Sequence, residues 1–188
     1  GRLVSTDISP AMVDVARRRA SELGITNAEF DAADAQAMQF PAASFDAAIC
    51  RWGYMLMPDP RAALAETRRV LKTGGRLTLA VFTSGAENPW ASIPSRLMIE
   101  RGHMAPPSPG TPGILALADR DHLESVVRDA GFADVTVDAV SFSWRFPNLA
   151  AYWSFLVELT ALGQAIARIP DAAREGFSGE LAPLVEPF

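Results

Sequence analysis

Short apolar runs alternate with amphipathic helical patterns over the first 82 residues of the chain. This alternation is typical of βαβ units, in which helices join parallel strands. Each apolar run has the length of a buried strand and is bounded by turn residues or by a helix start. We predict four strands, at residues 3–7, 27–32, 45–51 and 76–82.

The two longer helical patterns between these strands begin in the same way. Ser9-Pro10 and Asp59-Pro60 each place a side-chain oxygen at the N-cap and a proline in the first turn. We predict that the first helix ends at Gly24, which suits a left-handed cap, and that residues 72–75 stop the second. The apolar stripes are Val13, Ala16, Ala20 and Leu23 in the first helix and Ala63, Leu64, Val70 and Leu71 in the second.

The regular period is interrupted by residues 83–118. They contain a short amphipathic segment, PWASIPSRLMIERGHM, followed by APPSPGTPG, whose prolines disfavour regular structure. Such an insertion between sheet elements forms either a lid over a pocket or a tolerated surface loop. Both interpretations remain open from the sequence.

Regular patterns return after the insertion. Asp119 can cap a helix that closes at Gly131, and two strand-like runs follow at 135–140 and 142–146. Residues 148–188 are predicted to be helical, with an aromatic-rich stripe. We assign this stripe to core packing first and to a pocket wall second, because aromatic residues at helical spacing usually pack in a core.

Composition narrows the classes of function. Apolar residues make up 49% of the 188, and the formal net charge is −5, so the chain is globular and offers no basic surface for nucleic acid. The single cysteine, Cys50, excludes an internal disulfide and fits a reducing compartment. No stretch approaches the roughly 18 apolar residues of a membrane span. We therefore expect a cytoplasmic protein.

Carboxylates stand at the ends of two predicted strands. Asp7 ends the first strand, at the edge where open α/β sheets bind ligands, and either accepts hydrogen bonds from ribose hydroxyls or helps to cap the next helix. Asp34 follows the second strand. Its carboxylate can accept from an exocyclic amine while the Ala35 N–H donates to a ring nitrogen, which fits an adenine edge. Arg51 and Trp52 follow the third strand and line the same crevice.

Three motifs carry a resemblance to a known family: DIS at 7–9, DAQAMQFPAASFDAAICRWGYMLMPDP at 34–60, and RRVLKTGGRLTLAVF at 68–82. Together they resemble the class I S-adenosylmethionine-dependent methyltransferases, in the subgroup similar to quinone-biosynthesis C-methyltransferases. DRDHLESVVRDAGF at 119–132 is more loosely similar. The resemblance implies a Rossmann-like α/β fold, doubly wound, with a mostly parallel seven-stranded sheet and one antiparallel strand.

The same resemblance implies a set of cofactor contacts. Asp7, with Ile8 beside it, lies on the ribose of S-adenosylmethionine, and Asp34 with the backbone of Ala35 lies on the adenine. The methionine part of the cofactor lies beside Cys50, Arg51 and Trp52. The activity implied is transfer of a methyl group to a small-molecule acceptor.

The sequence departs from the family at its start. Members carry an earlier strand and a Gly-rich turn, which here would precede Gly1, in the centre of the sheet. Its absence leaves two interior strand edges without partners, at a cost of about 1–3 kcal/mol for each buried unpaired group. We therefore expect residues 1–188 to be a single methyltransferase domain that is N-terminally truncated and binds the cofactor poorly, with 83–118 as its insertion and 148–188 as a helical extension.

Few residues are candidates for binding or deprotonating the methyl acceptor. A methyl acceptor needs a general base only if it must lose a proton, and His103, in the insertion, is the candidate. Tyr54, Met55 and Trp90 are candidate substrate contacts, and packing in the core is an equal alternative for each. Two distant histidines and one cysteine do not form a metal site, so no metal is expected.

Two other functions remain open from the sequence. A nicotinamide-dependent oxidoreductase also uses an acid such as Asp7 for ribose, but it has no use for Asp34 and Ala35 as an adenine reader, and no Tyr-x-x-x-Lys pair is present. The second alternative is a cofactor-binding or degenerate domain without catalysis. The oligomeric state is left open.

Overall fold

A computed structural model describes residues 1–108 and 110–186 and divides the chain into two compact units. The first unit comprises Gly1–Val81 and Pro112–Val137, and the second comprises Phe82–Thr111 and Asp138–Phe188. The helices are α1 (Pro10–Glu22), α2 (Pro60–Val70), α3 (Pro89–Glu100), α4 (Arg120–Asp129), α5 (Leu149–Leu159), α6 (Ala161–Ile166) and α7 (Asp171–Val185).

The strands of the first unit form two parallel pairs. They are β1 (Leu3–Asp7), β2 (Ala28–Ala32), β3 (Phe45–Arg51) and β4 (Leu71–Ala80). β1 pairs with β2 from Leu3 opposite Ala28 to Asp7 opposite Ala32. β3 pairs with β4 in parallel up to Arg51 opposite Ala80. The predicted βαβ pattern is therefore confirmed.

β4 begins earlier than the sequence predicts. Leu71, which we expected on the second helix, is opposite Phe45, whereas the next pair along β3 joins Ala47 to Arg76. The residues between Leu71 and Arg76 are accommodated by an irregularity in the ladder, where Gly74 adopts a φ of 77°. A positive φ of this kind costs glycine little because it has no Cβ. Gly74 and Gly75 thus lie within β4.

The predicted helix starts are confirmed. The side chains of Ser9, Asp59 and Asp119 accept hydrogen bonds from the backbone N–H groups of Met12, Ala62 and His122, at 3.4, 3.0 and 2.7 Å. Each bond satisfies one of the N–H groups that a helix leaves without a partner in its first turn. Gly24 and Gly131 follow α1 and α4 with positive φ, as expected for left-handed caps.

Helices α2 and α4 contribute half of the buried hydrophobic residues in the core of the first unit. Its buried hydrophobic side chains are Val13, Ala20, Tyr54, Met55, Ala63, Leu64, Val70, Leu71, Leu117, Leu123, Val126 and Val127. Arg61 on α2 forms an exposed ion pair with Asp129 on α4 at 2.6 Å. Leu23, which we placed on the buried stripe of the first helix, is exposed because it is the C-cap residue, beyond the last turn of α1.

The strand-like runs at 135–140 and 142–146 are not strands in the structure. Val140 is 83% exposed, and within the described ranges these residues make no ladder of backbone hydrogen bonds. An antiparallel strand is accordingly absent from the described part of the chain. Alternating apolar residues predict which face of a strand would be buried, but a strand also needs a neighbouring strand to bond with.

The second unit is helical around a core of its own. That core contains Leu97, Met98, Tyr152, Leu156, Ile166, Ile169, Phe177 and Leu181. The hydroxyl of Tyr152 on α5 donates to the carbonyl oxygen of Trp90 on α3 at 2.6 Å. The helical tail predicted for 148–188 contains α5, α6 and α7, and residues 187 and 188 lie outside the described residues.

The segment at 83–118 contains one helix. α3 occupies the amphipathic part, and the described residues of APPSPGTPG hold no helix or strand, with residue 109 outside the described part. The role of 83–118 as a lid stays a prediction. No helix in the described ranges is long and apolar enough to cross a membrane.

Both tyrosines of the chain should ionise at unusually high pH. Burial raises the pKa of Tyr54 to about 12, and burial also raises the pKa of Tyr152. Since folding favours the neutral phenols, their contribution to stability is complete below pH 10 and declines as the pH rises towards 12. We expect the tyrosinate absorbance of the folded protein to rise mainly above pH 10, and that of the urea-unfolded protein to rise near 10.

The variant Tyr54→Phe shows which tyrosine has which pKa, because the chain has only two tyrosines. The remaining titration should be that of Tyr152 and should still lie above the ordinary range. A folded protein with one tyrosine that titrates at its ordinary pKa would contradict the burial described above.

Candidate functional site

The carboxyl ends of β1 and β2 lie side by side. Asp7 is opposite Ala32 in the parallel register, and the Ala33 N–H donates to the Asp7 carbonyl oxygen at 3.0 Å. Asp34 therefore leaves β2 directly beside the end of β1. The two carboxylates that the sequence singled out are brought to one edge of this sheet, as predicted from strand polarity.

The side chain of Asp7 accepts one hydrogen bond within the turn after β1 and can accept more. Its Oδ1 accepts the Ser9 N–H at 2.8 Å, which shapes the turn into α1. Within the described part of the chain, Oδ2 of Asp7 receives no hydrogen bond, and the residue is exposed. Capping and ligand binding are therefore compatible, since a carboxylate accepts several hydrogen bonds.

The half-buried carboxylate of Asp34 is a hydrogen-bond acceptor, and the backbone N–H of the next residue, Ala35, is a donor. Its Oδ1 accepts the Gln36 N–H at 2.9 Å and the Gln36 side-chain amide at 3.2 Å, whereas Oδ2 receives only a longer contact of 3.3 Å from that amide. The N–H of Ala35 donates to no group among the described residues. A carboxylate oxygen and an unpartnered backbone N–H at successive positions match the amine and ring nitrogen of adenine.

Residues 34–40, which we call the 34–40 loop, are fastened to α2. Glu66 Oε2 accepts the Met38 N–H at 3.1 Å, and the guanidinium of Arg69 donates to the carbonyl oxygens of Met38 and Phe40 at 2.8 Å each. Glu66 and Arg69 also form an ion pair at 2.7 Å, and its hydrogen bond holds the pKa of Glu66 below the ordinary value. The loop is thereby held by contacts spaced along one face of a helix.

The end of β3 contains a strained residue. Trp52 has a φ of 61°, and its N–H donates to the Ala80 carbonyl oxygen on β4 at 2.8 Å. The guanidinium of Arg51 lies 4.7 Å from the centroid of the Trp52 ring, within the range of a cation–π contact. A left-handed conformation costs a residue with a Cβ about 1–2 kcal/mol, so the surrounding contacts must hold Trp52 in place.

Cys50 and Gly53 are packed tightly against each other at the same strand end. A Cβ on Gly53 would lie 2.5 Å from the Cys50 sulfur, so this position requires glycine unless the thiol moves. Burial raises the pKa of the Cys50 thiol, and backbone hydrogen bonds from Tyr54 and Gly53 act in the opposite direction. The thiol is therefore protonated at neutral pH.

Two of the predicted substrate contacts are core residues of the first unit. Tyr54 is 3% exposed and Met55 is 2% exposed. The Tyr54 hydroxyl lies 2.7 Å from Oγ1 of Thr67, whose own proton goes to the Ala63 carbonyl oxygen at 2.8 Å, so Tyr54 is the donor. Both side chains therefore pack in the core in this structure, which is the alternative to substrate contact that the sequence left open.

Trp90 and His103 belong to the second unit. The Trp90 ring contacts those of Phe82, Trp144 and Phe155, with centroids 5.4, 6.0 and 5.8 Å away, and no residue that the structure describes forms a hydrogen bond with its buried Nε1. His103 is half-buried just beyond α3, where its backbone N–H donates to the Met98 carbonyl oxygen at 2.9 Å. The roles suggested for these two residues stay predictions.

Gln36 is the residue of this edge that the sequence analysis missed. Besides its bonds to Asp34, its Oε1 accepts the N–H of Asp59 at 2.8 Å. The separation of two residues between Asp34 and Gln36 is the spacing of an Asx turn and was the available local signal. The contact with Asp59, across 23 residues, had no signal in the sequence pattern.

Residues 1–79 match the model of a family described as a methyltransferase domain. This N-terminal part of the chain is therefore similar to methyltransferase domains. The match contains β1 to β3 and α2, with the strand ends described above. The expected family is thus confirmed for the part of the chain that carries the motifs.

Curated proteins similar to this chain are named as methyltransferases. Over 143 residues, 71% of this chain and 54% of the relative, the chain is 33% identical to a demethylmenaquinone methyltransferase of Paenarthrobacter aurescens. Over 145 residues, 72% of this chain and 58% of the relative, it is 30% identical to the ubiquinone/menaquinone biosynthesis C-methyltransferase UbiE of Cronobacter sakazakii. The chain therefore spans little more than half the length of these relatives.

A solved structure supports the fold. The YcgJ protein of Bacillus subtilis superposes with a TM-score of 0.59 at 23% identity, over 93% of this chain and 71% of that protein. At this identity the similarity establishes the fold alone. The Rossmann-like α/β class expected from the sequence is confirmed.

The backbone strain at Trp52 can be measured with two substitutions that both remove the ring. Glycine adopts positive φ readily, whereas alanine keeps the Cβ cost. We expect Trp52→Gly to have a free energy of unfolding about 1 kcal/mol larger than that of Trp52→Ala, as measured by urea denaturation.

The matched control is the same pair of substitutions at Ile49, an exposed position of β3 with an ordinary φ. There the glycine variant should be the less stable one, because glycine weakens a strand interior. A Trp52→Gly variant that is no more stable than Trp52→Ala would show that the left-handed conformation is not strained.

Proposed function

We propose that the protein binds S-adenosylmethionine at the carboxyl ends of β1 and β2 and transfers its methyl group to a small organic molecule. One observation carries the proposal. Asp7, Asp34 and the Ala35 N–H retain the hydrogen-bonding capacity that adenosine requires, and they lie at adjacent strand ends within the stretch that matches a methyltransferase domain.

The residues of the first unit fit the adenosine part of the cofactor. Oδ2 of Asp7 is available to the ribose hydroxyls, and Ile8, which is 71% exposed, offers apolar surface beside it. Asp34 accepts from the exocyclic amine of adenine, and the Ala35 N–H donates to the neighbouring ring nitrogen. Burial of that N–H against the adenine would supply the partner that it lacks among the described residues.

The end of β3 is proposed to hold the methionine part. Arg51 supplies a positive charge for a carboxylate, and the Trp52 ring fixes the guanidinium by stacking against it. The half-buried Cys50 lies beside them, and its protonated thiol gives this part of the site no negative charge. These assignments extend the contacts that the family resemblance implies.

S-adenosylmethionine supplies an activated methyl group on a sulfonium ion, and S-adenosylhomocysteine is the product that leaves. The protein then has to hold the acceptor in line with that methyl group and exclude water. His103 is proposed as the base for an acceptor that loses a proton, and Trp90 as an acceptor contact. The substrates in the relatives' names support a small organic acceptor. The single cysteine supports a cytoplasmic location.

Binding of S-adenosylhomocysteine, followed by NMR amide shifts from micromolar to millimolar ligand, tests the proposal. We expect the largest shifts at Ser9, Ala35 and Gln36, which surround the two carboxylates. Asp7→Ala and Asp34→Ala should each weaken binding at least tenfold, because a hydrogen bond to a charged group is worth roughly 1.5–3 kcal/mol and about 1.4 kcal/mol is a factor of ten.

The control variant is Asp46→Ala. Asp46 is an exposed carboxylate at the amino end of β3, the opposite edge from the site, and forms an ion pair with Lys72 at 2.7 Å. Its removal should leave the affinity unchanged. NAD is titrated separately: binding of NAD at the same residues with higher affinity would replace the proposal with a dehydrogenase, and the absence of shifts with both ligands would reject cofactor binding.

A further inference from the structure

Gln36 connects the carboxylate of Asp34 to the N-terminus of α2. Its side-chain amide contacts both oxygens of Asp34, at 3.2 and 3.3 Å, and its Oε1 accepts the Asp59 N–H at 2.8 Å. Asp59 is itself fixed, because its carboxylate caps α2 through the Ala62 N–H at 3.0 Å. One half-buried side chain thus joins a proposed ligand contact to a rigid helix end.

The contact with Asp59 determines which way the amide of Gln36 faces. A backbone N–H can only donate, so the group that it meets must be the carbonyl oxygen of the side chain. The NH₂ group is then directed at Asp34, where it donates to an ionised carboxylate. The orientation follows from the hydrogen-bond partners on both sides of the amide.

The Asp34 carboxylate is held by two donors from the same residue. The Gln36 backbone N–H binds Oδ1, and the side-chain amide bridges Oδ1 and Oδ2. With the backbone donor alone, the carboxylate can rotate about its terminal torsion, which has broad minima. The second donor restricts this rotation and leaves Oδ2 with capacity for another hydrogen bond.

We infer that Gln36 is a positioning residue that orients Asp34 towards the exocyclic amine of a bound adenine. The inference rests on the proposed function, because it assumes that Asp34 reads adenine. Gln36 acts through Asp34, and its effect should therefore depend on the amine that Asp34 contacts. This dependence on the amine distinguishes a residue that positions Asp34 from one that only stabilises the 34–40 loop.

Glu66 provides the matched control. It holds the same 34–40 loop by accepting the Met38 N–H at 3.1 Å and pairing with Arg69, and none of its hydrogen bonds reaches Asp34. Glu66→Ala should loosen the loop without removing a donor from Asp34. Any loss of affinity that it causes should be independent of the adenine amine.

The experiment compares two ligands: S-adenosylhomocysteine, and its purine analogue in which hydrogen replaces the exocyclic amine. We expect Gln36→Ala to weaken binding of S-adenosylhomocysteine about tenfold and binding of the analogue less than about twofold. Asp34→Ala should show the same selectivity, and the double variant should be no weaker than Asp34→Ala. Glu66→Ala should affect both ligands equally.

A second variant keeps the helix contact while changing the one to Asp34. Gln36→Glu retains an oxygen that can accept the Asp59 N–H, but it removes the amide donor and places a negative charge beside Asp34. We expect the same selective loss of affinity with an unchanged NMR spectrum of α2. This variant keeps the test valid even if Gln36→Ala unfolds the loop.

The outcomes distinguish this inference from the proposed function. Equal loss of both ligands in Gln36→Ala and Gln36→Glu, or additive losses in the double variant, would overturn positioning while adenosine binding stands. A wild-type protein that does not discriminate the two ligands would overturn adenine reading by Asp34, and the role of Gln36 with it. Absence of any binding would reject the proposed function as a whole.

Discussion

The parallel pairing of β1 with β2 is the constraint on which the proposed site depends. With Asp7 opposite Ala32, both strands finish at the same edge, and the chain places Asp34 next to Asp7 without a long connection. A shift of one residue in this register would turn alternate side chains to the other face. The backbone bond from Ala33 to Asp7 fixes the register at the very end where the carboxylates lie.

The edge formed by β1 and β2 gains its rigidity from a helix that follows the next strand. The 34–40 loop is bonded to the N-cap of α2 through Gln36 and to the helix itself through Glu66 and Arg69. The hydrogen bonds of Glu66 and Arg69 to this loop are partly buried, where an unmade hydrogen bond is costly, and this makes the arrangement specific. A loop that carries ligand contacts is precise when a rigid element holds it, and here the holding groups lie on one helix.

The strand ends differ in how they are stabilised. The turn after β1 is shaped by Asp7 itself, whose carboxylate accepts the Ser9 N–H, so a single side chain supports the backbone and remains accessible. The end of β3 is instead strained, with Trp52 at positive φ and Arg51 stacked against its ring. Strain of this kind persists only where neighbouring contacts compensate for it, and such positions concentrate at functional sites.

The sequence by itself determined the features that arise within a few residues. Ser9, Asp59 and Asp119 cap their helices because an N-cap bond spans three positions, and Asp7 and Asp34 were predictable because a strand and its end are local. Only the tertiary structure decided which elements meet. It placed Gln36 on Asp59, buried Tyr54 against Thr67, and left residues 135–146 without a strand ladder. These outcomes depend on partners distant in the chain, whose choice is made by packing and not by local pattern.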